Sequence, residues 1–502
     1  MGIIKRQGIK QSVVTYVGVV IGMVNVLFIY PAFLQQDQIG VISYVRETAA
    51  MLSLFVFLGS ADLIVRFFPH FKDETRKNNG FLFLLLGILT FGCLLLTLLT
   101  IIFKARIYGF FGQKEESLLY LQFVHLILPF TVLIAFGNLF SFYVSNFRRI
   151  VVPAIFNELL PKIGVPLLVI AFYLKYIPFE VILYGSLGIY LVILVGQIWY
   201  VRHLGQLHLR PDFRLLRKTM VKEMARFSLF GFLGSLGSRF SSEFINFFML
   251  GTISTLTNTG IFTVAYSIAN VVDVPRKAIS RIVSPLLADK FRGGKLDEIE
   301  EIYHKTALNQ LIVGLWVFLS IWVSIDQIFQ IMPNGDSFAV GKYVVLLLGL
   351  ARIVDMMTGV NTEILSFSKH YRFNFYLILF MAVVHVCSNL FFIKNYGLIG
   401  VAIATIITLT LYNLAKYLVL IWKLKMQPFT KGTFQVVFAA GIASLPIYFL
   451  PQTHVAILDA IIRSGLFSLI FGGLILFWKV SPDVNHIFKK IAGELRNKLG
   501  KR

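Results

Sequence analysis

Charged residues recur at helical spacing inside stretches that are otherwise apolar, and these are the residues with chemistry to offer. Arg239 and Glu243 are four apart, so they share one face of a helix. Asp273, Arg276, Lys277 and Arg281 follow. Arg352 and Asp355 are three apart, with Glu363 about two turns further on. Arg46 and Glu47 are adjacent, and Glu158 and Lys162 form another four-spaced pair. An ionisable group at the centre of a bilayer costs roughly 2.5–3.5 kcal/mol on insertion scales, so it usually faces a partner or a cavity.

The plain explanation is internal ion pairing. Each acid has a base within one turn or at the next position, Glu363 excepted. Pairing is the preferred reading for Glu158 and Lys162. Snorkelling suffices for Asp62 and Arg66, near an expected interface. The basic excess of Arg239, Arg276, Lys277, Arg281 and Arg352 points instead to a cationic cavity. Guanidinium groups grip phosphate in a bidentate fashion, which makes an anionic phosphate the natural ligand. His125 and His385 stand alone and read as satisfied histidines.

Other chemistries find no support. There is no Gly-x-x-x-x-Gly-Lys-Ser/Thr phosphate loop, and no His/Cys/Glu cluster has metal spacing. The two cysteines, Cys93 and Cys387, sit in separate apolar runs, and a disulfide between them is not expected. The series Gly231-x-x-Gly234-x-x-Gly237 reads as close helix packing by small residues.

The elements that position these charges are membrane spans. The chain is 57% hydrophobic and only 14% charged, against roughly 25% charged in soluble domains. A crossing helix needs roughly 20 apolar residues. Fourteen such stretches are expected: 13–34, 41–65, 81–103, 118–140, 151–174, 179–201, 227–250, 260–283, 307–332, 340–367, 373–393, 398–422, 432–450 and 455–480. The second, seventh, eighth and tenth carry the charges. The basic N-terminal residues run straight into the first span, with no cleavage site of small residues.

Basic residues decide sidedness. About thirty Lys and Arg fall in alternate connections and both termini, against six (Lys104, Arg106, Lys114, Lys175, Lys342, Lys394) in the opposite ones. This positive-inside bias predicts both ends in the cytoplasm. The net charge of +22 is thus explained by topology and anionic lipid headgroups, not nucleic acid. In the tail, 481–502, Ile487, Ile491, Leu495 and Leu499 recur among lysines, as in a basic amphipathic helix; Ser481-Pro482 is its expected start.

The polar connector 202–224 divides the chain into an N-lobe (1–201, helices 1–6) and a C-lobe (225–422, helices 7–12), followed by helices 13 and 14 (423–480) and the tail. Short echoes support the repeat. Asp37-Gln38-Ile39-Gly40 opens the second span and Thr257-Asn258-Thr259-Gly260 opens the eighth. Both spans end near a proline, Pro69 and Pro285. Parallel repeats of this kind are a transporter signature.

Three motifs carry a family resemblance. Asn395-Tyr396-Gly397-Leu398-Ile399-Gly400-Val401-Ala402 resembles the loop-to-helix motif that opens the twelfth helix of polysaccharide flippases. Ser368-Lys369-His370-Tyr371-Arg372-Phe373-Asn374 resembles their basic turn before helix eleven, and Gly8-Ile9-Lys10-Gln11-Ser12 their start. The chain thus resembles the oligosaccharide flippase (Wzx-type) branch of the multidrug/oligosaccharidyl-lipid/polysaccharide (MOP) exporter superfamily. The resemblance implies an all-α membrane protein with two six-helix lobes in a V-shaped, MATE-like arrangement and alternating access. It implies a bacterial cytoplasmic (inner) membrane location and a lipid-pyrophosphate-linked oligosaccharide substrate. Many O-antigen flippases have 12 helices and lipid II flippases 14, which leaves the subfamily and sugar open.

On this reading Arg46, Arg239, Arg276, Lys277, Arg281 and Arg352 bind the pyrophosphate. Glu47, Glu243, Asp273, Asp355 and Glu363 couple transport to H+ or Na+. No cofactor or metal is expected. Membrane lipids and the pathway's polymerase and glycosyltransferases are the expected partners. A cation-coupled drug exporter is the first alternative; a membrane glycosyltransferase or polymerase is the second, disfavoured by short external loops.

Overall fold

The chain folds as apolar helices because runs rich in Leu, Ile, Val and Phe must satisfy every backbone N–H and C=O internally when lipid surrounds them. The computed structural model describes residues 2–73, 77–113, 117–147, 149–212, 214, 216–240 and 243–486. No strand occurs among them. Of the twenty-two α-helices among the described residues, eighteen frame the fold. They are α1 (Gly2–Val24), α2 (Gln36–Phe57), α3 (Ser60–Phe71), α4 (Phe81–Ile102), α5 (Lys104–Gly112), α6 (Ile127–Ser145), α7 (Val151–Tyr173), α8 (Glu180–His203), α9 (Lys218–Phe240), α10 (Glu243–Ile253), α11 (Leu256–Asn270), α12 (Val274–Arg292), α13 (Leu296–Trp322), α14 (Lys342–Met357), α15 (Asn361–Phe367), α16 (Tyr371–Leu424), α17 (Lys431–Tyr448) and α18 (Ala456–Phe477).

Among the described residues, ten helices are long and apolar enough to cross a membrane. One of them, α16, contains two of the fourteen expected spans. Gly397 (φ 53°, ψ −126°) breaks it between them, a conformation that a side chain would strain. The expected seventh, eighth and thirteenth spans are not among the ten; the thirteenth is the 18-residue α17, and the eighth is interrupted. The seventh falls on α9 and α10, which flank residues outside the described set. In the eighth, α11 gives way at Asn270 to a 3-10 turn, Val271–Asp273, before Pro275 starts α12. The expected tenth span breaks as well: α14 ends at Met357, Gly359 adopts φ 60°, and α15 begins at Asn361. Broken helices with charges at the breaks are how transporters place polar groups at membrane depth.

The chain divides into two compact units, one of residues 1–264 with Asn389–Leu398 and one of residues 265–388 with 399–502. In the first, α2 packs against α4, α6 and α10, around buried Tyr44, Tyr120, Phe123 and Phe130. α7 packs against α1 and α8. Glu158 and Lys162 on α7 form an ion pair of 2.7 Å beneath α1. Gly18 makes room for it: a Cβ there would lie 3.3 Å from both charged groups. The outer surface of α4 exposes Leu94, Leu98 and Ile101, as a lipid-facing helix should.

In the second unit, α13 packs against α12, α14, α17 and α18 over a core of Leu311, Phe318, Met356, Phe467 and Phe471. Arg463 on α18 fastens the α17–α18 corner. It pairs with Asp459 at 2.9 Å and donates to the carbonyls of Ile447, Leu450 and Pro451 at the end of α17. Gln327 donates to the same Asp459 carboxylate. Cys93 and Cys387 are both free. At the tail, Ser481 caps a short helical turn, 482–486, and donates to Asn309; residues 487–502, where the amphipathic repeat falls, lie outside the described residues.

Candidate functional site

The breaks at Val271–Asp273 and Thr358–Val360 both lie in the second unit, and side chains from α12, α14, α15 and α16 meet beside them. Asp273 is 2% exposed and holds two cations of its own helix turn. Arg276 Nε donates to its Oδ1 at 2.5 Å, and Lys277 Nζ reaches its Oδ2 at 2.8 Å. Arg276 Nε also lies 3.2 Å from Asp355 Oδ2, so one guanidinium bridges carboxylates of two helices. Asp355 Oδ1 accepts from Asn413 Nδ2 at 3.0 Å. The Asn413 carbonyl in turn accepts from Thr358 and Asn361, each at 2.9 Å.

Lys416, one turn beyond Asn413, is 1% exposed. Its ammonium donates to Thr362 Oγ1 at 2.9 Å and sits 4.1 Å from the Tyr412 ring centroid. Asp355 and Glu363 lie within its electrostatic reach. Arg352 is buried one turn before Asp355. Arg281 is exposed on α12, four residues after Lys277. The cluster therefore gathers Arg276, Lys277, Arg352 and Lys416 around Asp273, Asp355 and Glu363, four cations against three carboxylates. Asp273, Arg352 and Lys416 are buried, Arg276, Asp355 and Glu363 are half-buried, and Lys277 is exposed; charges this deep are tolerable only when paired or hydrogen-bonded.

Of the residues expected to act together, Asp273, Arg276, Lys277, Arg352, Asp355 and Glu363 belong to this cluster. Arg46 and Glu47 belong to the first unit, where they pair at 2.7 Å, with Glu47 largely buried and Arg46 half exposed. Arg239 and Glu243 flank the undescribed residues 241–242, and their own side chains lie outside the described set. Lys416 and Asn413 were not anticipated. The signal was in the sequence: a polar pair three apart inside the apolar run 398–422. Near the basic end of a span, however, such a lysine reads as a snorkelling one. The buried Asp459–Arg463 pair escaped for a similar reason, standing close to the start of its span.

A second constellation lies in the first unit, where the echoing segments meet. Tyr44 Oη and Thr252 Oγ1 are 3.1 Å apart, and the Tyr44 ring stacks on Phe248 at 6.3 Å between centroids. Tyr120 donates to the carbonyl of Gly251. The Tyr44 contacts clasp α10 to α2, and the backbone approach of Gly40 to Leu256 and Gly260 adds the start of α11. Among the described residues, no group of three or more His, Cys, Asp or Glu is arranged to hold a metal.

An all-helical membrane bundle with broken, charge-bearing helices is a transporter architecture. The fold is shared with a lipid II flippase, MurJ, in an inward closed conformation (TM-score 0.74, 12% identity, 94% of this chain and 100% of that one). It is shared also with a multidrug resistance MATE family transporter of the MOP superfamily in an inward-facing conformation (TM-score 0.60, 15% identity, 80% and 93%). A curated relative, the probable low-salt glycan biosynthesis flippase Agl15 of Haloferax volcanii, is 20% identical over 196 residues. That match spans 39% of this chain and about 40% of the relative's length. The chain belongs to the polysaccharide biosynthesis protein family, whose model matches residues 4–291. It is a multi-pass membrane protein with the MOP-superfamily fold.

Proposed function

We propose that the protein flips a lipid-(pyro)phosphate-linked oligosaccharide from the inner to the outer leaflet of a bacterial cytoplasmic membrane, with both termini in the cytoplasm. The observation that carries this reading is the partly buried, cation-rich cluster at the broken helices of the second unit. A pyrophosphate is gripped by guanidinium and ammonium donors that converge on it. Arg276, Lys277 and Arg352 supply them, with exposed Arg281 one turn from Lys277. Arg46 and Arg239, in the first unit, are further candidates to bind pyrophosphate.

The carboxylates supply coupling. Asp273 and Asp355 share Arg276, so a proton or Na+ on either carboxylate and a phosphate on Arg276 alter the same ion pairs. Two ligands that change one set of contacts are energetically coupled. Glu363, Glu47 and Glu243 are the further coupling groups. A cationic drug would find Asp273 and Asp355 already occupied by protein cations, which disfavours the drug-exporter alternative. Nothing in this reading requires a covalent step.

Alternation needs a gate, and the clasp of α2 on α10 and α11 supports one. On the positive-inside reading, these contacts lie toward the outer face. Glycosyltransferases of the pathway build the substrate, and a polymerase takes the product. Deletion of the gene tests this function. Loss of surface glycan with accumulation of its lipid-linked precursor, and unchanged drug susceptibility, is expected; normal glycan export contradicts it.

A further inference from the structure

Beside the clasp lies a cavity of about 680 Å3, within the first unit. Its volume falls in the range of pockets that hold small-molecule ligands, roughly 300–1,000 Å3. Its wall is apolar, with Phe111, Leu128 and Phe248 inside and Ile101, Phe103 and Phe110 at the mouth. These last three are 65%, 42% and 49% exposed. Ile101 continues the lipid-facing stripe of α4, so the mouth opens sideways toward lipid rather than upward to water.

The rim is basic. Lys104 and Arg106, on the short helix α5, line the same cavity and are exposed. Among the described residues neither ammonium nor guanidinium has a carboxylate partner; each lies near an aromatic ring instead, Tyr108 and Phe103 respectively. The charge asymmetry of the chain makes this unusual. Six Lys and Arg fall in outward connections, and three of them (Lys104, Arg106, Lys114) fall in this one. The same connection carries Glu115 and Glu116, outside the described residues, so its excess is one positive charge; what complements an anion is the placing of Lys104 and Arg106 on the lining of an apolar cavity.

We propose that this cavity binds a single-chain lipid phosphate of the outer leaflet, its chain among the aromatic side chains and its phosphate on Lys104 and Arg106. One chain fits a cavity of this size, and the rim charges complement the phosphate. Tyr44 and Thr252 line the cavity and also form the clasp, so an occupant touches the groups that hold α10 to α2. The site rests on the outward assignment of α5 and not on the identity of the transported glycan.

Photolabelling tests it. The full-length protein in phosphatidylcholine nanodiscs is exposed to a diazirine analogue of farnesyl phosphate and, in parallel, of farnesol. Labelled peptides are then mapped by mass spectrometry. Labelling by the phosphate probe is expected within 100–111 and 248–252. Leu128→Trp, which fills the cavity, abolishes it. The surface double variant Lys104→Ala/Arg106→Ala, which leaves the core untouched, weakens the phosphate probe roughly tenfold but not the alcohol. Labelling that survives Leu128→Trp overturns the site. Equal labelling by both probes, unaffected by the rim variant, overturns the phosphate. Displacement of the probe by equimolar phosphatidylglycerol overturns the choice of a single-chain lipid.

Discussion

Gly40 and Gly260 meet backbone against backbone. A Cβ on Gly40 would lie 1.8 Å from the Leu256 carbonyl oxygen and 3.1 Å from the Gly260 nitrogen. A Cβ on Gly260 would lie 1.8 Å from the Gln36 carbonyl oxygen and 3.1 Å from the Gly40 nitrogen. The contact is reciprocal, and the two residues hold equivalent places in the echoes 37–40 and 257–260. Two related helices thus touch at the same residue, as repeats about a common axis would.

No side chain fits between these backbones, so Gly40→Ala or Gly260→Ala must part α2 from α11. Overpacking of this kind costs about 1–3 kcal/mol. Each variant is expected to lower glycan export roughly tenfold, the factor that about 1.4 kcal/mol represents, by weakening the closed clasp. Gly87→Ala on α4, where a Cβ meets nothing within 4 Å, is the control and leaves export unchanged.

The corner formed by Arg463 is structural. Arg463→Met leaves the Asp459 carboxylate buried with Gln327 alone and strands three carbonyls. Removing one partner of a buried pair costs about 3–5 kcal/mol. A large drop in thermal midpoint in detergent is expected. Removing both charges, as Asp459→Leu/Arg463→Met, recovers part of the loss.

Arg276 and Asp355 are predicted to act as a pair. Arg276→Ala and Asp355→Asn each impair transport. In a double-mutant cycle on transport rate their effects are non-additive by about 0.5–3 kcal/mol, as for residues in one network. Strictly additive effects would mean that the 3.2 Å contact is not used.

Lys416 carries a charge that Thr362 and Tyr412 alone contact directly among the described residues. Lys416→Met keeps the volume and removes the charge. It is expected to preserve folding, judged by thermal midpoint, while cutting transport at least about tenfold if the cluster's positive charge binds phosphate. Wild-type transport by Lys416→Met would remove the lysine from the site.

The general plan was legible because lipid imposes it: apolar run length marks most of the spans. The charged stretches were legible as special, and their breaks at Asp273 and Gly359 give the physical reason. What composition hides is which helices bring their charges together. Asp273 and Asp355 are far apart in sequence, and their shared Arg276 follows only from packing of α12 near α14. Lys416 and Asn413 were hidden by the same rule that exposes topology, since a basic residue near the inner end of a span is ordinary there. The clasp at Gly40 was visible as an echo but not as a contact.

Reconstitution tests the central claim most directly. Proteoliposomes carrying a lipid-pyrophosphate-linked oligosaccharide are prepared with Tyr44→Cys/Thr252→Cys protein, and arrival of the glycan in the outer leaflet is followed with an impermeant glycosidase. Flipping faster than in protein-free liposomes, stopped by a short bifunctional thiol crosslinker and restored by reduction, is the predicted result. A rate equal to that of protein-free liposomes, with the folded wild-type protein measured alongside, would contradict the account.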